Sequence, residues 1–587
     1  MEHPESDRLL GARHDAASSI PANSQQFPPA ATWGSSEWEV GGEVRGAAGQ
    51  VDGGPAAIQK RARTLLMGIR FGERGERSRR VGGGLLMAAG MIAVVTVGPA
   101  YAAIPGRLSG YAFAGVAGSG SGAGFGAARR VPLRSAAGTT GWNFSPSLNL
   151  REIYDDNIAL AAPGRERSDF VTEVNPEISI DKQTRRFNLL ANYRMQNLFY
   201  ARNSASDATF HQLFSRMGAD LWPGTFSLGA QATASQALIS PTRPVSFGNV
   251  SIIGNRTNVF TYKVTPRLRH AFGRTAIVRA HYSYGVVDYN AQPLSGSQTG
   301  EVGASFGTGP DVPGIGFNVD YGRSRTNFDA ALARDAIFEH LVGEARYPVQ
   351  SSFRIVLRGG YEDNNFQFGS GVTQPKGKLW SGGFEWNITP HSYLEARYGR
   401  RFFGRAVNAS FRFEGAWTTA SAGFTEAPTT ISTLVLDQQP LIVGPNGRLI
   451  QVMMPSLPGL SAQVFINRRF SGTLGFHRAR DRFSATVSRS ERTFELTGSK
   501  ETVTRVNASW DRRLGARTST NVTGYWQQWR FIGGVRVDDL WQLTGGLSYR
   551  FGRYASGTLS VTHTQRTSNG ASDYFVNMVA LGITLGF

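Results

Sequence analysis

The 587-residue sequence contains no cysteine and little charge for its length. Without cysteine there can be no disulfide framework, no thiolate metal site, no cysteine nucleophile and no acylated cysteine to anchor a lipoprotein. No run of about 18 or more apolar residues occurs, which excludes a transmembrane helix. Charged residues make up 18% of the chain, against the ~25% that is usual in soluble domains.

Recognisable catalytic and cofactor motifs are also missing. Only nine histidines are present, and none has the H-E-x-x-H spacing of a zinc site. No G-x-S-x-G element, P-loop or dinucleotide fingerprint is found. We therefore predict that the protein is not an enzyme, and we expect no cofactor and no bound metal. One alternative remains open: His281 and Ser283 share a strand face with Asp288 nearby, as in a surface hydrolase, although polar residues lining a lumen give the same pattern.

An export signal is present, but it lies well inside the chain. The segment 67–102 begins with a basic run, continues with an apolar stretch over 85–97, and ends in Ala100-Tyr101-Ala102. These are the three parts of a secretory signal peptide. We predict cleavage after Ala102, with Ala100 and Ala102 as the recognition residues.

The signal divides the sequence into four parts. Residues 1–66 form an N-terminal extension of doubtful origin and disordered composition, because a start at Met67 would place the signal at the N-terminus. Residues 67–102 are the signal peptide, and 103–140 form a Gly/Ala-rich linker. Since 1–102 carry 11 basic and 10 acidic residues, the net charge of +19 belongs almost entirely to the exported part.

From residue 141 to 587 the sequence is typical of strands that cross a membrane. Glycine (71 residues) and aromatic residues (11%) are abundant, and apolar residues occupy every second position in segments of about 10–13, longer than the ~5–6 of soluble strands. The opposite phase is polar, as in Asn188, Asn192, Arg194 and Gln196. We predict an all-β fold: one antiparallel transmembrane β-barrel of the bacterial outer membrane with about 20–22 strands.

Turn signals set the expected topology. Tight links such as Trp222-Pro223-Gly224 alternate with long polar ones, which predicts 13 strands from 142 to about 403 and seven from about 463 to 587. Residues 405–421 look like one more strand, and a closed barrel of this kind needs an even number. We therefore expect a hidden strand in 422–462 or one strand divided in error, and both termini in the periplasm.

Aromatic residues at segment ends predict the two interfacial girdles of a barrel. They are Trp142, Tyr154, Phe199, Tyr200, Trp222, Tyr347, Tyr361 and Trp529. Two of these tyrosines begin a Tyr-x-Asp-Asn element, at Tyr154–Asn157 and Tyr361–Asn364. Turn chemistry explains both; Ca²⁺ binding by Asp155, Asp156, Glu362 and Asp363 is the alternative.

The C-terminus carries a separate signal. Phe587 ends an alternating apolar strand that includes Leu585 and Ile583. This pattern resembles the signal that the barrel assembly machinery reads in bacterial outer-membrane proteins. We therefore expect that machinery as a partner, with outer-membrane lipid and lipopolysaccharide around the finished barrel.

Some segments resemble a known family, the outer-membrane β-barrels associated with the PEP-CTERM/exosortase system. They are Ser147–Ile158 with Asp169–Pro176, and Phe384–Pro390 with Tyr398–Gly404. The resemblance spans about 142–587 and implies a link to exopolysaccharide export in a Gram-negative cell. It brings no catalytic residues to this chain.

Arginine dominates the basic residues, of which only six are lysine. The polar phases hold Arg194, Arg267, Arg269, Arg279, Arg354, Arg358 and Arg397, which we predict to face the lumen. Rings of such groups line pores for anions. We predict a porin-like barrel that passes, or helps to secrete, an acidic polysaccharide. Net charge also suits nucleic acid, but location argues against that partner. The alternatives are a closed structural or assembly barrel of the same system, and a surface hydrolase.

Overall fold

The structure is a computed structural model that describes residues 141–437 and 463–587, apart from gaps at 291–295, 310–311, 313, 330–333, 368 and 370–374, together with 442–443 and 449–450. The predicted extension, signal peptide, cleavage residues Ala100 and Ala102, and linker lie outside the described residues.

Twenty-two antiparallel strands form one sheet that closes on itself. The first fifteen are β1 Asn143–Asp155, β2 Asp169–Gln183, β3 Phe187–Tyr200, β4 Ala208–Trp222, β5 Phe226–Leu238, β6 Arg256–Phe272, β7 Ala276–Tyr289, β8 Ser297–Thr308, β9 Gly316–Phe328, β10 Ala336–Gln350, β11 Phe353–Asp363, β12 Lys376–Thr389, β13 Ser392–Arg401, β14 Gly404–Glu414 and β15 Thr418–Thr430. The last seven are β18 Val464–Arg478, β19 Asp481–Phe494, β20 Lys500–Arg513, β21 Thr518–Arg530, β22 Val537–Arg550, β23 Ala555–Ser568 and β24 Tyr574–Gly586.

Three small elements accompany the barrel. A 3-10 turn covers Ser204–Ser206, and helix α1 covers Ile431–Asp437. The strands β16 (Ile442–Val443) and β17 (Leu449–Ile450) pair with each other. Within the described residues, no helix is long and apolar enough to span a membrane.

An apolar belt covers the outer face of the sheet. It follows from the period of two, which places every second side chain outward. Leu357 (60% exposed), Trp380 (53%) and Leu581 (63%) belong to it. Exposed apolar surface of this extent needs a lipid environment. The predicted all-β transmembrane barrel of 20–22 strands is therefore confirmed, at 22.

The barrel closes where β24 pairs with β1. Ile583 lies opposite Leu150 and Leu585 opposite Leu148, and the backbone N–H of Phe587 donates to the carbonyl of Pro146 at 3.0 Å. The C-terminal residues expected to act as an assembly signal thus end at this seam. Because the strand number is even, both chain ends of the barrel lie at the same end.

The parity problem of the sequence is resolved by β15, most of which lies at 422–430, inside the segment where a further strand was expected. The predicted boundary is wrong: residues 405–421 are not one strand, because β14 ends at Glu414 and β15 begins at Thr418 after a turn at Gly415, Ala416 and Trp417. This turn contains no proline, asparagine or aspartate, the residues that usually indicate a turn. The alternation of apolar residues continues across it, and a single strand was therefore predicted. The following residues finish β15 and then form α1.

Connections at one end of the barrel are short, and most of those at the other end are long. We call these the short-turn end and the long-loop end; in outer-membrane barrels the long loops are external. Most predicted girdle residues are exposed, but Tyr200 (5%) and Trp529 (2%) are buried. Both sit on the inner face near the long-loop end. The Tyr200 hydroxyl donates to the Val250 carbonyl, and the Trp529 ring stacks on Phe531.

Candidate functional site: the lumen wall and two segments that enter it

Two segments from the long-loop end fold into the lumen. One is the connection between β5 and β6, residues 239–255, which we call the inner loop. The other is helix α1, which follows β15. Long loops are expected on the external side of such barrels, but the sequence alone did not show whether they turn inward.

Apolar contacts hold the inner loop against several strands. Val250 and Ile252 pack on a buried cluster that includes Ile153 of β1 and Leu198 of β3. Further along the loop, Val245 and Phe247 pack with Leu540 of β22. Phe247 also meets the Tyr525 ring of β21 edge to face, with centroids 4.7 Å apart. The inner loop thus contacts strands on both sides of the β1–β24 seam.

Hydrogen bonds fix the backbone of the inner loop. The Tyr200 hydroxyl donates to the Val250 carbonyl at 2.7 Å, and the Tyr574 hydroxyl donates to the Val245 carbonyl at 2.5 Å. Tyr200 thus holds the inner loop instead of lying in the predicted girdle, which explains why it is buried. Asn249 Nδ2 donates to Gln196 Oε1 at 2.8 Å.

Two arginines of the opposite wall hold the start of the inner loop. Arg536 Nη2 donates to the Thr242 carbonyl at 2.7 Å, and Arg566 Nη1 donates to the Arg243 carbonyl at 3.3 Å. Asp538 pairs with both guanidiniums, at 2.9 Å and 2.5 Å. One carboxylate therefore orients both loop-binding arginines.

Helix α1 lies against the inner faces of β6, β7 and β8. Leu436 packs with Val259 and Val287, and a Cβ at Gly285 would lie 2.8 Å from Leu436 Cδ1. A side chain at Gly285 would therefore require the Leu436 side chain to move from its present position. Ser297 bonds Ser432 at 2.7 Å, and Lys263 pairs with Asp437 at 3.1 Å. Burial raises the pKa of Asp437, and the Lys263 ammonium partly opposes that rise.

Three of the predicted lumen arginines belong to an ion-pair ladder on β10–β13. Arg358 Nε lies 3.2 Å and Arg397 Nη1 3.6 Å from Glu344, which also pairs with Arg346. Glu385 pairs with Arg346 at 3.1 Å, Arg354 at 3.5 Å and Arg397 at 3.6 Å, and Glu395 pairs with Arg397 at 2.8 Å. Arg354, Arg358 and Arg397 thus lie on the inner face, and with Arg346 they share three glutamates from β10, β12 and β13. Most of their charge is therefore compensated by these ion pairs.

Replacing Glu344 with glutamine should destabilise the barrel by about 3–5 kcal/mol, because it leaves Arg346, Arg358 and Arg397 as buried cations without this counter-charge. The midpoint of urea unfolding of the barrel in micelles, followed by the heat-dependent shift in gel mobility, measures the loss. The matched control is Glu414→Gln, at an exposed carboxylate of β14, with an expected change below about 0.5 kcal/mol. Equal midpoints for the two variants would contradict the role of the ladder.

Arg194 is also paired. Its Nε donates to Gln212 Oε1 at 2.8 Å, and it interacts electrostatically with Glu173 and Glu177 of β2. Glu173 in turn accepts from Arg151 at 2.8 Å and from Gln196 at 2.7 Å. The wall of β1–β4 is therefore polar and close to charge balance around this arginine.

The remaining predicted arginines, Arg267, Arg269 and Arg279, form a different surface at the short-turn end, which we call the cationic mouth. Arg269 on β6 lies directly opposite Arg279 on β7. Within the described residues, none of the three has an ion pair with a carboxylate. Gly229 makes room for one of them, because a Cβ there would lie 2.9 Å from Arg267 Nη1. The three guanidiniums therefore leave uncompensated positive charge at the short-turn opening of the lumen.

Sequence reading missed a second cationic surface, the upper cluster, formed by Arg469, Arg492 and Arg505 on β18, β19 and β20. The three repel one another electrostatically. Arg492 pairs with Glu501 at 2.9 Å, while Arg505 Nε is buried without a hydrogen-bond partner. The register Ser488–Arg505 and Arg469–Ser490 brings them together, and strand pairing was the information that the sequence lacked.

The hydrolase alternative receives no support from the geometry. Ser283 bonds Thr265 at 2.7 Å, whereas His281 lies 3.6 Å from Glu301, so no hydrogen bond joins the serine and the histidine. Asp288 of β7 lies opposite Phe260 of β6, which is exposed on the outer face. Asp288 therefore shares the outer face, whereas His281 and Ser283 are on the inner face.

Three of the four acidic residues in the two Tyr-containing elements have protein partners, and the fourth, Asp363, is exposed. Asp155 accepts from the Asn157 backbone at 2.8 Å, and Asp156 accepts from Asn577 at 2.7 Å. Glu362 binds Arg401 at 2.7 Å. Across the described part of the chain, no group of three or more His, Asp or Glu side chains is placed to hold a metal ion. These contacts agree with the turn interpretation.

No family model and no curated protein matches the chain. Solved structures do match. The siderophore receptor PirA from Pseudomonas aeruginosa is 12% identical with a TM-score of 0.40, over 77% of this chain and 81% of that one. The FrpB iron transporter from Neisseria meningitidis is 11% identical with a TM-score of 0.43, over 76% and 82%. A ferric enterobactin receptor (PfeA) mutant from P. aeruginosa is 10% identical with a TM-score of 0.41, over 77% and 81%.

These values assign no ligand and no transport mechanism to this chain. Its description rests on its own strand pairing and on the outward apolar belt. Together they define a 22-strand transmembrane β-barrel of the outer-membrane type.

Proposed function

We propose that this protein is a passive outer-membrane passage for anionic solutes, with an acidic polysaccharide as its polymer in transit. The observation that carries the proposal is the cationic mouth. Like charges placed directly opposite on neighbouring strands destabilise a sheet, and Arg269 and Arg279 are such a pair. A pair of lumen-facing arginines that lowers the stability of the sheet is explained if the pair attracts anions into the lumen.

The upper cluster supports the same function. It provides a second group of guanidiniums nearer the long-loop end, with Ser488 beside it, opposite Arg505. Guanidinium pairs with carboxylates through two parallel hydrogen bonds, and serine hydroxyls can bond sugar hydroxyls. An acidic sugar chain would find matching groups at both ends of the lumen.

The resemblance to PEP-CTERM/exosortase-associated barrels points to the class of cargo, since that family is linked to exopolysaccharide export. Within this proposal the barrel assembly machinery inserts the chain, and nucleic acid is not a partner. The C-terminal strand with Ile583, Leu585 and Phe587 supports the first of these points.

A closed structural or assembly barrel is the second candidate, and a specific observation favours it. The inner loop and α1 both enter the lumen and are held there by apolar clusters and hydrogen bonds. A barrel that served only as a scaffold for an export system would be filled in this way.

Recordings in planar bilayers decide between the two candidates. We expect single-channel steps that favour chloride over potassium, and we expect oligogalacturonate added at the short-turn side to interrupt the current. A neutral oligosaccharide of equal length is the control and should interrupt it at least about tenfold less, since it lacks the carboxylates that the guanidiniums bind. A silent barrel at every voltage would reject an open passage and leave the closed barrel.

A further inference from the structure

Three cations lie together on the outer face of the barrel at the long-loop end. Lys378 is on β12, Arg400 on β13 and Arg405 on β14, and all three are exposed. Arg400 lies directly opposite Arg405 on one side and Trp380 on the other. We call these three residues the external cationic patch. Within the described residues, none of them has an ion pair or a side-chain hydrogen bond.

Two acidic side chains lie on strands next to the patch, and neither is paired with it. Asp363 of β11 is exposed and lies opposite Lys376, and within the described residues no ion pair joins it to the patch. The other is Glu426 of β15. Glu426 accepts from Arg468 at 3.1 Å and from the Val407 backbone at 2.7 Å. Two like charges directly opposite each other destabilise a strand pair. The positive charge of the patch is therefore not fully compensated within the described residues, and a bound anion would stabilise it.

The patch sits at the upper border of the apolar belt. Below it on the same outer face are Trp380 (53% exposed), Tyr398 (51%) and Leu357 (60%). Aromatic residues in this position mark the membrane–water interface. A ligand of the patch would thus carry its charge at headgroup depth and its apolar part beside the belt.

The strands that carry the patch are rigidly joined. The β13–β14 turn is Phe402-Phe403, and the Phe402 N–H donates to Glu362 Oε1 at 2.9 Å. Arg401 binds the same carboxylate at 2.7 Å and lies over the Phe403 ring at 5.2 Å. Arg400 and Arg405 therefore need no loop ordering to present their guanidiniums together, which favours binding.

We propose that the external cationic patch binds the phosphate groups of lipid A, the membrane anchor of lipopolysaccharide. Arginine matches phosphate geometry with paired hydrogen bonds, and the acyl chains would lie against the apolar belt. The choice of this lipid rests on the orientation in the proposed function, in which the long-loop end faces outward. It does not require the lumen to conduct.

The test uses the purified full-length barrel in detergent, with bound lipid counted by native mass spectrometry. The probes are lipid A with both phosphates and lipid A with both removed. The variant is Lys378→Gln, Arg400→Gln, Arg405→Gln. The matched control changes three exposed arginines of turns at the opposite end, Arg185→Gln, Arg480→Gln, Arg553→Gln. Heat-dependent gel mobility verifies that each barrel is folded.

We expect the patch variant to bind phosphorylated lipid A at least about 30-fold more weakly than the native chain, since each cation near such a surface contributes about fivefold. The control variant should keep native affinity, and lipid without phosphates should bind all three proteins alike. Native affinity in the patch variant would overturn the proposal. Full displacement of the lipid by millimolar pyrophosphate would also overturn it, because the site would then take a free anion rather than the lipid. Either result leaves the conductance test of the lumen unaffected.

Discussion

Replacing the three arginines of the cationic mouth with glutamate reverses the ion selectivity of the barrel. Arg267, Arg269 and Arg279 line the short-turn opening of the lumen, and the substitutions change its local charge from positive to negative. A lumen with low-dielectric walls concentrates the counter-ions of its fixed charges. We expect the reversal potential in a tenfold KCl gradient to change sign, with the chloride-to-potassium permeability ratio falling by about tenfold or more.

The control for this experiment makes the same change in net charge at three arginines that lie outside the lumen. Arg185, Arg480 and Arg553 lie exposed on connections at the same end, and their glutamate variants should leave the sign of the reversal potential unchanged. The effect of the mouth variant should also shrink between 0.1 M and 1 M salt, because the screening length falls from about 10 Å to about 3 Å. Unchanged selectivity in the mouth variant would show that ions do not pass these arginines.

The strands could be predicted from the sequence because their determinants are local. A period of two over 10–13 residues identifies a strand and its outward face without knowledge of its partners. That local pattern placed Arg194, Arg267 and Arg354 on the inner side. It failed at Gly415-Ala416-Trp417, where a turn of small and aromatic residues interrupts the pattern too briefly to be seen.

Side-chain partners across strands depend on register, which the sequence did not supply. Arg358 and Arg397 are on β11 and β13, and their common partner Glu344 is on β10. A count of arginines therefore overestimates the free positive charge on this part of the wall. The same lack of register concealed the upper cluster, whose members come from three strands.

The inner loop is a different case, since its sequence held a signal that was not used. Val245, Phe247, Val250 and Ile252 are interspersed with small and polar residues in a connection that we predicted only as a long polar link. Exposed loops with several large apolar residues are costly in water. Their burial against Ile153, Leu198 and Leu540 removes that cost, and it requires the loop to turn inward.

Removing the inner loop should open the lumen. Replacing residues 241–254 with two glycines keeps the last ladder bond, from Ile239 N–H to Asn255 carbonyl at 3.2 Å, and converts the connection into a short hairpin. We expect single-channel conductance to rise by at least about threefold, because a 22-strand barrel is wide and is ordinarily filled. The chloride preference should persist, since the cationic mouth lies at the other end.

The matched control replaces Ile532 and Val535 with serine. Both side chains are exposed, at 54% and 82%, in the β21–β22 connection of the long-loop end, and the substitution keeps the backbone that positions Arg536. Conductance should stay within about 20% of native, as expected for a tolerated change at a loop tip. The barrel itself should fold in both variants, because its backbone hydrogen bonds close without the loop. A native chain that is silent while the loop variant conducts would mean that the inner loop closes the passage at rest. Equal conductance in all three proteins would instead place the ion path away from the inner loop, and α1 would then be the segment that limits the lumen.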